Sequence, residues 1–277
     1  MKVEGIISNP VTQEIKHKGH LSIRFCPDRF SLLVADASFR PVLLNTYHFD
    51  HQPAFSSHPE ECEKVLEEME LMDFEGETVF VVDSPQICPV PAHHVDAQTA
   101  PDVLGKTARV EKGEISSRRH IRRRRMELLF AYPDGLDELG EKIPGSVNII
   151  HAAECMLSLS DQIQASDHQR GFILAEVQNS ILNLLIIRGD EVLLLNRFAL
   201  KDTSDFIYHT LNCIKQLDLD RETIPLYLAG KVHPEHELYG LLRKYVRNVK
   251  LTPYYLEELT RYQLLRYMIL SEGSKCV

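Results

Sequence analysis

Tryptophan is absent from the 277 residues, and there is no apolar run of roughly eighteen residues or more. The second absence excludes a transmembrane helix. Cysteine is sparse: Cys26, Cys62, Cys88, Cys155, Cys213 and Cys276 stand apart, and no two are spaced Cys-x-x-Cys. A chain of this length needs no disulfide staples, so isolated thiols point to a reducing compartment. Positive charge is short as well. Lys and Arg number 31 against 40 Asp and Glu, for a net charge of −9 and a pI near 5.8. That balance argues against general nucleic-acid binding, which leans on excess cations to meet phosphates. Three catalytic loops are also missing: GxxxxGK[ST], GxGxxG and GxSxG. The start, Met1-Lys2-Val3-Glu4-Gly5, carries an early acid and no apolar core, unlike a signal peptide. The expectation is a cytoplasmic protein.

What is present suits a packed core, with 44% hydrophobic and 26% charged residues. In the second half, Gly171–Val177, Ile181–Arg188 and Glu191–Leu200 read as three strands joined by tight turns. Helical spacing follows over Asp202–Leu217, with Asp202 or Thr203 as N-cap. Then come a strand at Pro225–Gly230, a helix over Pro234–Val246, a short strand at Val249–Leu251 and a helix over Tyr254–Leu270. The first half runs the same way. Strands at Leu21–Phe25, Phe30–Ala35 and Pro41–Phe49 precede a helix over Pro59–Met72. A strand at Leu128–Tyr132, a helix over Leu136–Lys142, a strand at Val147–His151 and a helix near Ala152–Leu159 complete it. Each half therefore reads β-β-β-α-β-α-β-α. At one constant offset Leu33 meets Leu184, Leu43 meets Leu194, Leu44 meets Leu195 and Asn45 meets Asn196. The repeated order is evidence of duplication. Residues from about 76 to 125 have no counterpart. They hold the strand Thr78–Val82, prolines 85, 89 and 91, and an Arg run, and read as an inserted subdomain. The expected domains are 1–160 and 161–277.

A meander followed by α-β-α-β-α is the ribonuclease-H-like topology, and two in tandem make the actin/hexokinase-like ATPase fold. The whole chain resembles an uncharacterised Bacteroidetes family assigned that α/β fold. Better-studied relatives with inserted subdomains include cytoplasmic components of pilus assembly and type II secretion. The resemblance implies ATP and Mg²⁺ chemistry on two hairpin turns, each usually Asp-x-Gly, and an adenosine strand ending Gly-Gly. Here the first turn is Phe25-Cys26-Pro27-Asp28-Arg29-Phe30. It has no Gly, and Pro27 removes a backbone donor. The second is Ala175-Glu176-Val177-Gln178-Asn179-Ser180, again without Gly. The adenosine strand reads Leu226-Tyr227-Leu228-Ala229-Gly230-Lys231 and keeps one Gly. All three motifs depart from the pattern, so no cofactor is expected. Ribonuclease-H-type nucleases need clustered carboxylates for two metal ions. Leu21–Phe25 has no acid and Glu176 stands alone, which argues against a nuclease.

The Arg run packs Arg118, Arg119, Arg122, Arg123, Arg124 and Arg125 into eight residues. One reading is a site for an anion or an acidic partner. The favoured one is a charged edge strand whose arginines alternate between solvent and acids such as Glu60, Glu61, Glu63, Glu67 and Glu68. His93-His94 with Asp96, and His233 with His236, read as surface loops. His151 and Glu154 read as a cap or a buried hydrogen bond. Cys26 looks the most exposed thiol but has no evident base, and reads as inert. The function expected is a non-catalytic binding or assembly protein with a protein partner. One rival is a nucleotide-binding switch or weak ATPase using Asp28, Asn179, Ser180, Gly230 and Lys231. The other is an RNA-associated factor using the Arg run.

Overall fold

The computed structural model describes residues 1–50, 54–163, 171–232, 237–254 and 259–276. Continuous apolar runs set the sheets. Phe30-Ser31-Leu32-Leu33-Val34-Ala35 does not alternate, because both of its faces are covered, and every residue of this strand is buried. In the first half the strands are β1 (Lys2–Ser8), β2 (His20–Cys26), β3 (Arg29–Ala35), β4 (Pro41–His48), β5 (Glu77–Val82) and β9 (Val147–His151). They form one sheet in the order β1-β4-β3-β2-β5-β9. In the second half β10 (Phe172–Val177), β11 (Ile181–Arg188), β12 (Glu191–Ala199), β13 (Leu226–Gly230) and β14 (Val249–Leu251) lie in the order β12-β11-β10-β13-β14. Without β1 the two orders coincide. In each, the first strand pairs antiparallel with the second and parallel with the fourth. This is a duplicated ribonuclease-H-like fold.

Helices α2 (His58–Glu68), α4 (Gly135–Lys142) and α5 (Ala152–Gln162) belong to the first half's pattern, α1 (Gln13–Lys18) precedes it, and α3 (Ala100–Thr107) lies in the insert. The second half has α6 (Thr203–Gln216), α7 (Glu237–Leu242) and α8 (Arg261–Gly273). Asp202 caps α6 as expected, its carboxylate accepting from the Ser204 and Asp205 N–H groups. Helix α7 ends at Leu242, short of the expected Val246, and α8 runs on to Gly273, past the expected Leu270. Residues 233–236 and 255–258 lie outside the described set, and with them the His233 and His236 reading. No described helix is long and apolar enough to cross a membrane. The chain divides into two compact units, Met1–Cys155 with Leu270–Val277, and Met156–Ile269.

The structure corrects two strand assignments. Thr78–Val82, read as part of the insert, is the fourth strand of the main sheet, paired with β2 from His20–Glu77 to Phe25–Val82. Leu128–Tyr132, read as that fourth strand, lies within β8 (Met126–Pro133), the centre of a separate sheet β6-β8-β7. Its neighbours are β6 (Ile87–Pro91) and β7 (Glu114–Ile121). Both runs are apolar because both are central strands, so periodicity cannot tell them apart. The insert has its own small core, with Leu104 of α3 packed by Val95, Ala100, Leu129 and Ala131. The repeat also needs a one-residue adjustment. Phe25 pairs with Phe30, and Val177 with Leu182, across equal turns. Counted from the turn, Leu33 corresponds to Leu185, not Leu184. Leu33 then faces Leu44 and Leu185 faces Leu195, so the other three matches stand.

His58, at the start of α2, is fully buried beside Phe49 and Phe55. Neither ring nitrogen has a hydrogen-bond partner among the described residues. Burial lowers its pKa to about 4, against a smaller upward pull from Asp28. The folded protein keeps this ring neutral, while the unfolded chain takes up a proton below about pH 6.5. Stability from this residue is therefore complete above pH 6.5 and falls as pH drops towards 4, by up to about 3 kcal/mol. Urea midpoints across that range should show the loss. His58→Phe should lose less stability than the parent over that range, and an unchanged pH slope contradicts the assignment.

Candidate functional site

The carboxyl ends of the first and fourth strands are where this fold can bring backbone and acids to a ligand, so each unit is described there. In the first unit β2 and β3 are joined by Pro27 and Asp28. Arg24 on β2 donates from Nη2 to Asp83 Oδ2 at 2.6 Å, and both side chains are buried. Asp83 follows β5, and its N–H donates to the Phe25 carbonyl at 2.9 Å. Cys26 donates to the same carboxylate oxygen at 3.7 Å. Cys26 is only 2% exposed, which corrects its reading as the most exposed thiol. Burial pushes its pKa up to about 11 against the opposing pull of Arg29 and Arg24, so it stays a thiol. Arg29 donates to both oxygens of Asp28, at 2.6 and 2.9 Å. Each of the two guanidinium groups thus donates to a carboxylate, while the buried Arg24 Nε has no hydrogen-bond partner among the described residues.

In the second unit Asn179 and Ser180 turn the chain from β10 to β11, and the Gln178 N–H closes the turn on the Ile181 carbonyl. Glu176 is buried, its two oxygens accepting from Gln178 Nε2 at 2.5 Å and Asn183 Nδ2 at 2.7 Å. Lys231 donates to Asn179 Oδ1 at 2.8 Å. Gly230 has φ +87°, and a Cβ placed there would lie 2.0 Å from the Val177 carbonyl oxygen. The Lys231 N–H donates to that same carbonyl at 2.7 Å. Gly230 is therefore required by the close approach of β13 to β10. Of the five residues expected at a nucleotide, Asn179 and Lys231 meet directly. Gly230 precedes Lys231, and Ser180 is exposed on the turn. Asp28 belongs to the first unit.

These residues do not fit a bound Mg-nucleotide. Pro27 offers no N–H, and Asp28 is held by Arg29. A cation stands on β2 beside the buried acid of β5. No group of three or more potential metal ligands occurs among the described residues.

The Arg run divides by geometry. Arg118 and Arg119 lie on β7, the last strand of its sheet. Arg122–Arg124 form a short 3₁₀ turn, and Arg125 sits at φ 50° in the left-handed region. Arg119 reaches Glu154 of α5 with two hydrogen bonds, 3.1 and 3.0 Å. Arg118 approaches the buried Glu127 at 3.9 Å, and His120 meets the same carboxylate at 2.6 Å. The expected pairing with the acids of α2 is corrected in part: Glu61 takes Lys64 and Glu63 takes Lys142. Those acids are matched by lysines nearer in the fold. His93 and His94 sit in a short turn with their rings 4.0 Å apart. His151 accepts from the Ala153 N–H at Nδ1 and lies 3.1 Å from the Ser84 carbonyl at Nε2, which makes it the cap of α5.

Sequence reasoning missed a groove in the first unit, of about 680 Å³. Arg118 and Arg119 of β7, Asp137 and Glu141 of α4, and Val147 and Asn148 of β9 form its walls. Both β7 and β9 are terminal strands of their sheets. Tyr132, also at the groove, donates to Asp137 at 3.1 Å. No spacing in the sequence marks this place, because its walls come from an insert and a sheet whose strands were exchanged in the reading.

Residues 8–249 match the family described as Protein of unknown function (DUF3822). The chain belongs to that family. Among curated proteins none matches. A Bacteroides thetaiotaomicron protein with actin-like ATPase fold and unknown function superposes with a TM-score of 0.75 at 18% identity, over 87% of this chain and 93% of that one. The PilM-PilN type IV pilus biogenesis complex gives 0.60 at 12%, over 94% and 98%. The ethanolamine utilization protein EutJ from Carboxydothermus hydrogenoformans gives 0.50 at 9%, over 98% and 92%. These likenesses show that the DUF3822 chain has the actin-like ATPase fold.

Gly230→Ala should destabilise the second unit by about 2 kcal/mol or more, from left-handed strain and the clash with Val177. Denaturant unfolding without any nucleotide measures this. A neutral result contradicts the close-approach account.

Proposed function

We propose that this chain is a non-catalytic binding or assembly protein that docks a protein partner in the groove between β7, α4 and β9. The observation that carries this reading is the pairing at the strand ends. Arg24 with Asp83, and Asp28 with Arg29, occupy the groups that nucleotide chemistry would need free. The groove supplies an alternative. Two strand edges offer backbone donors and acceptors to an extended segment. Arg118 and Arg119 on one wall face Asp137 and Glu141 on the other, which suits a segment carrying charges of both signs. The PilM likeness gives this reading a precedent of the same fold within a protein complex. A cytoplasmic setting is part of the proposal.

Two measurements test it. Millimolar MgATP should leave thermal unfolding unchanged. Nucleotide at 100 times its dissociation constant would raise the midpoint by roughly 5–10 °C, and that result contradicts the reading. Extended peptides selected from a displayed library should bind, and lose about tenfold in affinity on Arg118→Glu or Glu141→Lys. Binders indifferent to both substitutions place docking elsewhere. Steeply salt-dependent RNA affinity lost on changing Arg122–Arg125 to Gln would favour the RNA-associated reading instead.

A further inference from the structure

Cys155 and Cys276, at opposite ends of the second half, meet in the first unit. The chain leaves that unit after Cys155 and rejoins it at Leu270. The returning segment is firmly seated: Ser22 Oγ donates to the Leu270 carbonyl at 2.8 Å. A Cβ at Gly273 would lie 2.5 Å from Val81 Cγ2 and 3.9 Å from Cys155 Sγ. Cys276 follows one turn later, its N–H donating to the Gly273 carbonyl at 3.1 Å. This puts Cys276 on the same turn as the Gly273 position that faces Cys155 Sγ. Cys155 is buried, whereas Cys276 is half-buried and open to a small oxidant.

We propose that Cys155 and Cys276 are a dithiol modification site that hydrogen peroxide converts to a reversible disulfide, cross-linking the points where the chain leaves and rejoins the first unit. The Cys276 thiolate attacks one peroxide oxygen, the O–O bond breaks, and the leaving hydroxide takes a proton to become water. Cys276 is then a sulfenic acid. The Cys155 sulfur attacks it, the S–O bond breaks, and a second water leaves with the Cys155 proton. Two thiols lose two electrons, and one peroxide becomes two waters. Cys155 is buried and Cys276 is open to peroxide, so Cys276 reacts first and Cys155 resolves. The disulfide closes a loop containing all of Met156–Ile269 and restricts the unfolded chain.

The test treats the full chain with stoichiometric hydrogen peroxide, followed by non-reducing peptide mapping and thermal unfolding. The expected product has lost two hydrogens through a Cys155–Cys276 link, unfolds several degrees higher, and reverts with dithiothreitol. Cys276→Ser should abolish the link. Cys155→Ser should leave a sulfenic acid on Cys276 that dimedone captures. A map in which Cys155 and Cys276 remain alkylatable, or in which the link joins other cysteines, overturns the proposal. The parent map decides this even where a variant folds poorly.

Discussion

The ion pair between Arg24 and Asp83 fastens β2 to the end of β5 in the core of the first unit. It joins the ends of the two central parallel strands in a place without solvent, where a lone charge of either sign is costly. Cys26 adds its hydrogen to the same carboxylate, and Asp28 with Arg29 closes a second pair one turn away. Charges arranged this way cancel within the protein. In this chain the strand ends of the first unit carry paired charges.

The second unit reaches a similar end by different residues. Glu176 is held by two side-chain amides in place of a guanidinium. Gly230 looks like a remnant of an adenosine motif, but its freedom of φ is spent on the contact with Val177. The insert adds a terminal strand, β7, whose Arg118 and Arg119 line a groove together with Asp137, Glu141, Val147 and Asn148. That surface depends on Arg119 reaching Glu154, which ties the insert sheet to α5.

Much of this was legible in the sequence. The meanders were, because tight turns separate uninterrupted apolar runs, and so was the Asp202 cap. The absence of glycine from both hairpin turns is read directly from Pro27-Asp28 and Asn179-Ser180. The exchange of Thr78–Val82 with Leu128–Tyr132 was not legible, since both are buried on two faces and carry the same pattern. Nor was the burial of Cys26: a residue beside Pro27 in a turn reads as exposed until Asp83 and Arg29 are seen around it. The pairing of Arg24 with Asp83 depends on parallel register, which no local spacing reveals. The groove and the meeting of Cys155 with Cys276 join segments far apart in the chain, and only the topology brings them together.

The central claim is that Arg24 and Asp83 function as one buried unit. A double-mutant cycle on Arg24→Met and Asp83→Ala, read by denaturant unfolding, tests it most directly. Each single change should cost about 3–5 kcal/mol, because it strands the opposite charge. The double variant should cost far less than the two together. Single losses that add to within about 0.5 kcal/mol would show two independent groups, and the account of a site closed by its own ion pair would fall.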